Sequence, residues 1–87
     1  MAMAFSVIYQ GPAEAALRKL PREIQVRILR KVDQLAGSPF PPGTEKLRAA
    51  TDLWRIRIGD YRVVYTVERK ELLVLVLKVG HRREVYR

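Results

Sequence analysis

Apolar and polar residues alternate along Leu53–Ile58, with Trp54, Ile56 and Ile58 on one side of the chain and Leu53, Arg55 and Arg57 on the other. A period of two predicts a half-buried strand. Gly59-Asp60 follows and leads directly into Tyr61–Glu68, a second strand. A two-residue turn with glycine first is the signal of a II′ hairpin. In that register Ile58 lies opposite Tyr61, Ile56 opposite Val63 and Trp54 opposite Tyr65, so one face is apolar and aromatic throughout. The other face sets Arg57 directly opposite Arg62, and Arg55 opposite Val64.

Leu72–Val79 is apolar on both sides until Lys78, which predicts a central strand rather than an edge. Pairing Val67 with Leu72 sends Leu73, Leu75, Leu77 and Val79 to the arginine-bearing face, beside Val64. Helices on the apolar face cannot cover them, so Val64, Leu75 and Leu77 form a candidate protein-binding strip.

Upstream, Phe5–Tyr9 is a short aromatic and β-branched run stopped by Gly11-Pro12, which predicts a first strand. Ala13, Ala16, Leu17 and Leu20 then recur at spacings of three and four, with Glu14 and Arg18 as an outward pair, the pattern of a two-turn helix. Pro21 opens a second helix whose stripe is Ile24, Ile28, Val32 and Leu35, with Gly37 as its closing residue. Its outward Arg22, Arg27, Arg30 and Lys31 read as a solvated face, with tracking of phosphates as the functional alternative. Ser38–Gly43 is a stiff proline-rich connector whose Phe40 covers the end of the core, and Lys46-Leu47-Arg48 reads as a short edge strand. Residues 1–87 thus form one α+β domain: two N-terminal helices packed on one face of a small, mainly antiparallel sheet of about four strands.

Composition narrows the function. The 87-residue chain has no cysteine, so neither a disulfide frame nor a thiolate metal site is available, and a reducing cytosol suits it. The N-terminus lacks a signal-peptide pattern, and the longest uncharged apolar run, Leu72–Leu77, is too short to span a bilayer. A soluble, unprocessed, cytoplasmic protein with no membrane partner is expected. Seventeen Lys and Arg against nine Asp and Glu, a net charge of +8, favour a polyanionic partner.

The hairpin places that charge. Like charges directly across a strand pair are destabilising, so Arg57 opposite Arg62 favours a site built for phosphate over a merely splayed pair. The tail after Gly80 adds His81, Arg82, Arg83 and Tyr86 at the end of the neighbouring strand. One histidine and scattered acids make a metal nuclease an unlikely class; glycine-rich phosphate loop, zinc-finger and Ser or Cys nucleophile patterns are missing too. A cationic cluster that holds a phosphate and stabilises its pentacoordinate transition state is what metal-free RNA cleavage requires, the 2′-OH being the nucleophile. Tyr86 or His81 can move the protons, and the ordinary histidine pKa is the better matched to neutral pH. No cofactor is called for.

At these residues the sequence resembles the RelE/ParE superfamily of type II toxin-antitoxin modules, and its RelE-like mRNA interferases most closely. LWRIRIGDYRVVYTV and LLVLVLKVGHRREVY are similar to the family's C-terminal half, and LRKLP with a second helix to its N-terminal half. The resemblance implies a toxin that cleaves mRNA in the ribosomal A site, leaves a 2′,3′-cyclic phosphate, and is neutralised by a cognate antitoxin. Matched by motif, Arg62 and Arg82 correspond to the family's catalytic arginines and Tyr86 to its C-terminal tyrosine. Arg55 and Arg57 stand where ribosome-dependent members commonly carry lysines; arginine holds phosphate well but hardly exchanges a proton at neutral pH. The chain runs one residue past Tyr86, where some members have a longer segment. In this reading Arg55, Arg57 and Arg83 bind RNA, Arg62, Arg82, Tyr86 and His81 are catalytic, and the antitoxin, as a helix or strand, covers Val64, Leu75 and Leu77. The competing expectations are a ParE-like protein that poisons DNA gyrase without nuclease chemistry, and an RNA-binding module with no turnover.

Overall fold

The computed structural model describes residues 4–47, 52–81 and 83. Strand β1 (Ser6–Tyr9) runs into helix α1 (Gly11–Arg18) and helix α2 (Arg22–Gln34), followed by β2 (Glu45–Lys46), β3 (Trp54–Ile58), β4 (Tyr61–Glu68) and β5 (Leu73–His81). The five strands form one sheet in the order β1-β5-β4-β3-β2. All neighbours are antiparallel except β1 and β5, which run parallel with Val7 beside Val74 and Ile8 beside Leu75. The sheet is therefore mixed and has five strands rather than about four. The chain between β1 and β5, helices included, supplies the long crossover that parallel neighbours need.

One face of the sheet carries the core. Ile28, Val32 and Leu35 of the α2 stripe are fully buried with Ala13 and Leu17 of α1 against Ile56, Val63, Tyr65, Val74 and Val76. Each large side chain so buried contributes about 1.5–3 kcal/mol relative to exposure. Pro12 sits in the first turn of α1, where its missing N–H costs nothing. That helix ends at Arg18, and the N–H groups of Lys19 and Leu20 close onto Ala16 O and Leu17 O. The second helix also tightens at its end: Leu35, Ala36 and Gly37 donate to Val32, Asp33 and Gln34. These three-residue spacings satisfy the terminal carbonyls without a left-handed residue, so Gly37 closes the helix without a positive φ. Phe40 packs against Trp54 with ring centroids 4.5 Å apart and the rings tilted by 56°, and Tyr65 donates its hydroxyl to Pro39 O at 2.5 Å. The proline connector is thereby pinned over the end of the core.

The β3–β4 register is the one the sequence predicts, down to Arg57 opposite Arg62. Gly59 has φ +60° while Asp60 stays negative, which is the II′ turn. The β4–β5 hairpin departs in two ways. Leu72 takes φ +52° in the loop rather than starting the strand, so Glu68 pairs with Leu73 and Val67 with Val74. That shifts the register by two residues and so leaves the faces unchanged. The second departure is a β-bulge: Tyr65 pairs with Val76 but Val64 with Lys78, leaving Leu77 as the extra residue. An extra residue reverses the alternation. Val79, expected beside the arginines, instead joins the core at 6% exposure, and Lys78 is turned out into solvent. Without the bulge the lysine would point under the helices.

Candidate functional site

The sheet face opposite the helices carries two rungs. Arg55, Val64 and Lys78 lie side by side across β3, β4 and β5, and beside them Arg57, Arg62 and Gly80. Strand pairing alone fixes this array, because alternate residues of each strand share a face. Lys78 therefore belongs to the arginine face, a role that nothing in the sequence signals except its position as the one charge in an apolar strand.

Arg62 is the buried member, at 7% exposure. Its Nη1 donates over 3.4 Å to Gly59 O and Tyr61 O, both long contacts, and its Nε is buried with no hydrogen-bond partner. Among the described residues no carboxylate lies within ion-pair distance of it. A buried guanidinium with an unanswered N–H is costly to maintain and is relieved by an anion.

Arg55 and Arg57 are better supplied than the sequence implies. Glu45 of the two-residue edge strand is paired beside Arg55. Its carboxylate accepts from Arg55 Nη2 and stands 3.7 Å from Arg57 Nη2. Among the described residues, this one carboxylate reaches two of the arginines on the face. Burial first, and then the positive neighbours Arg57 and Arg62, pull the Arg55 pKa below its ordinary value. Arg57 and Arg62 thus act on Arg55 even with Glu45 present.

Of the tail, His81 and Arg83 are described. His81 pairs with Tyr61, with the rings edge to face and centroids 5.7 Å apart. Tyr61 packs on the core, so the bulge puts His81 on the helix side of the sheet, one residue along from Gly80 and across the pleat from Arg62. Its Nδ1 accepts the backbone N–H of the exposed Arg83 at 3.3 Å. Arg82 and Tyr86 lie outside the described residues. Among the described residues no group of three or more His, Cys, Asp or Glu could hold a metal, and no helix is long and apolar enough to cross a membrane.

The strip of Val64, Leu75 and Leu77 lies on the same sheet, Val64 at 3% exposure and the leucines half-buried. Ile8, 50% exposed on β1 beside Leu75, extends it. The sequence could not place Ile8 there, because nothing in a four-residue strand names its neighbour.

Two helices on a mixed five-stranded sheet, with a cationic opposite face, define a RelE/ParE superfamily toxin, and the chain folds like one. A family model, the ParE toxin of the type II toxin-antitoxin system parDE, matches residues 7–86, and the chain belongs to that family. It is 28% identical to Toxin RelG of Mycobacterium tuberculosis over 86 residues, 98% of this chain and 99% of the relative. Among solved structures, the archaeal RelE–RelB complex from Pyrococcus horikoshii matches with a TM-score of 0.81 at 33% identity, covering 94% of this chain and 99% of that one. The isolated E. coli RelE toxin matches with a TM-score of 0.80 at 30% identity, covering 95% and 92%. The protein is a RelE-like toxin of a type II toxin-antitoxin system.

Proposed function

We propose that this toxin is a metal-independent endoribonuclease that cleaves mRNA at the ribosomal A site and so stops translation. The observation that carries the reading is Arg62, buried opposite Arg57 with its Nε unanswered and, among the described residues, with no carboxylate within ion-pair distance. Arg55, Arg57 and Arg62 hold the scissile phosphate, with Arg83 contacting RNA beside it, and Arg82 stabilises the charge that develops on the phosphate or the leaving oxygen. The 2′-OH attacks in line and leaves a 2′,3′-cyclic phosphate. Proton transfer falls to Tyr86 or His81, and the placement of His81 across the pleat from Arg62 favours Tyr86. The solved P. horikoshii relative is a RelE–RelB complex, which supports a cognate antitoxin for this chain; its place in this reading is over Val64, Leu75 and Leu77, reaching Ile8.

Primer extension on mRNA in a translating extract, with and without the protein, tests cutting, position and ribosome dependence together. If mRNA stays uncut and Arg62→Ala or Arg82→Ala inhibits growth as strongly as the parent, the reading fails. The ParE name of the matching family model favours a second reading, poisoning of DNA gyrase without nuclease chemistry. Covalent gyrase–DNA complexes and an SOS response, in place of translation arrest, would support it.

A further inference from the structure

A second cationic cluster lies round the edge of the sheet. Arg27, Arg30, Lys31 and Gln34 of α2 face Arg57 and Ile58 of β3 across a groove of about 340 Å³. Lys31 and Arg57 also line an adjoining lobe of about 330 Å³ with Pro42, Gly43, Glu45 and Ile56. The groove is open because β2 pairs only with Trp54 and Arg55, so the edge of β3 is uncovered from Ile56 onward.

Spacing makes the cluster unusual for a solvated helix face. Arg27 with Arg30 and Arg27 with Lys31 are like charges at i,i+3 and i,i+4, an arrangement that destabilises a helix. On α1 the corresponding spacing is used for an attractive pair, Glu14 with Arg18 at 2.5 Å. No acid lines the first lobe, and the α2 acids Glu23 and Asp33 are not among its walls. Of these four cations Arg57 has Glu45 3.7 Å away, while Arg27, Arg30 and Lys31 have no carboxylate within ion-pair distance among the described residues.

The groove joins the phosphate site. Arg57 belongs to both, and the turn between β3 and β4 is gripped from two directions. A Cβ at Gly59 would stand 3.5 Å from Arg27 Nη2, while the Gly59 carbonyl accepts from Arg62 Nη1. Arg57 thus links the Arg62 rung to the groove that Arg27, Arg30 and Lys31 line.

We infer that the Arg27–Arg30–Lys31–Arg57 groove is a second phosphate site, which holds RNA backbone next to the scissile phosphate. The inference rests on the nuclease reading for its ligand class. The RNA can come from the flank of the mRNA or from ribosomal RNA around the A site, and both present the same phosphodiester.

The test measures binding rather than cleavage. Parent, the triple variant Arg27→Gln/Arg30→Gln/Lys31→Gln and a charge-matched control, Lys19→Gln/Arg22→Gln/Lys70→Gln, are titrated over a range of salt. The probes are a 2′-O-methyl single strand, which offers no nucleophile, and isolated 30S subunits. Each lost phosphate contact lowers the log–log salt slope by about 0.7, so the triple variant should lose about two units against the control. A loss with the single strand identifies the mRNA flank, and a loss with 30S subunits alone identifies ribosomal RNA. Equal slopes for triple and control on both probes overturn the inference. It is overturned equally if the parent binds neither probe, or if only affinity for the antitoxin falls. Failure of the parent to cut mRNA in the translating extract would sink the nuclease reading and leave the slope result standing.

Discussion

Replacing Glu45 by Gln should make the protein less stable and better at holding RNA. Its carboxylate accepts from Arg55, whose side chain is only 11% exposed, and stands 3.7 Å from Arg57, whose side chain is 56% exposed. The exposed pair is worth about 0.2–1 kcal/mol. Breaking a fully buried pair costs about 3–5 kcal/mol, and Glu45 is itself 51% exposed, so the Arg55 contact falls well below that limit. Together they set a loss of about 1–2 kcal/mol, or roughly 5–15 °C in Tm for a domain of this size. An incoming phosphate must displace the same carboxylate. Removing it should tighten binding of a 2′-O-methyl RNA strand by about 2–5-fold, the equivalent of one exposed pair. Thermal unfolding and fluorescence anisotropy measure the two effects. Glu71→Gln, an exposed acid in the β4–β5 loop, supplies the control for net charge. If Glu45→Gln leaves Tm unchanged, weakens RNA binding, or behaves like Glu71→Gln, then Glu45 does not hold the arginines as described.

Arg62→Met keeps the side chain's bulk and removes a buried, incompletely satisfied guanidinium, so Tm should hold or rise while cleavage falls by about 10²–10³-fold; a large drop in Tm would show that Arg62 supports the fold instead. Tyr9, its hydroxyl buried without a hydrogen-bond partner, is pushed up to about 12 by burial and by the nearby Asp33. The unfolded chain then loses this proton first, so stability present below about pH 10 should decline towards pH 12. Tyr9→Phe should flatten that decline, and equal alkaline denaturation of parent and variant would contradict it. Deleting Leu77 takes out the extra residue of the bulge and keeps Val64 opposite Lys78 and Val63 opposite Val79, so Lys78 stays in solvent and Tm should fall less than for Val79→Ala, which gives up to about 1.5–3 kcal/mol of burial; a larger fall for the deletion would contradict the register.

How much the sequence reveals depends on how far apart the partners are. The β3–β4 hairpin is legible because its strands are adjacent, its turn has a glycine where II′ geometry needs one, and a slip of one residue would expose Trp54, Ile56 and Ile58 together. The parallel pairing of β1 with β5 is not legible, since a four-residue alternation fixes faces but not neighbours. The bulge is hidden for a different reason. From Leu72 to Leu77 every residue is apolar, so neither register is penalised until Lys78, and a charge at an inward position is the sole clue. Glu45 is hidden in a strand of two residues, too short to carry a period. For the site, Arg55, Arg57 and Arg62 follow from local register, whereas the face that His81 takes depends on the bulge and so is not legible.

The same division explains how a face so unfavourable in charge can persist. The helix side of the sheet gathers Ile56, Val63, Tyr65, Val74, Val76 and Val79 against α1 and α2, and none of these needs the arginine face for its burial. Repulsion between Arg57 and Arg62 is worth about 0.2–1 kcal/mol, less than one buried valine. The core can therefore carry the charged face without help from a partner, and an arriving phosphate meets cations already held in place by strand register. The bulge at Leu77 serves both sides at once. It returns Val79 to the core and, with the same residue, turns Lys78 out into the row with Arg55.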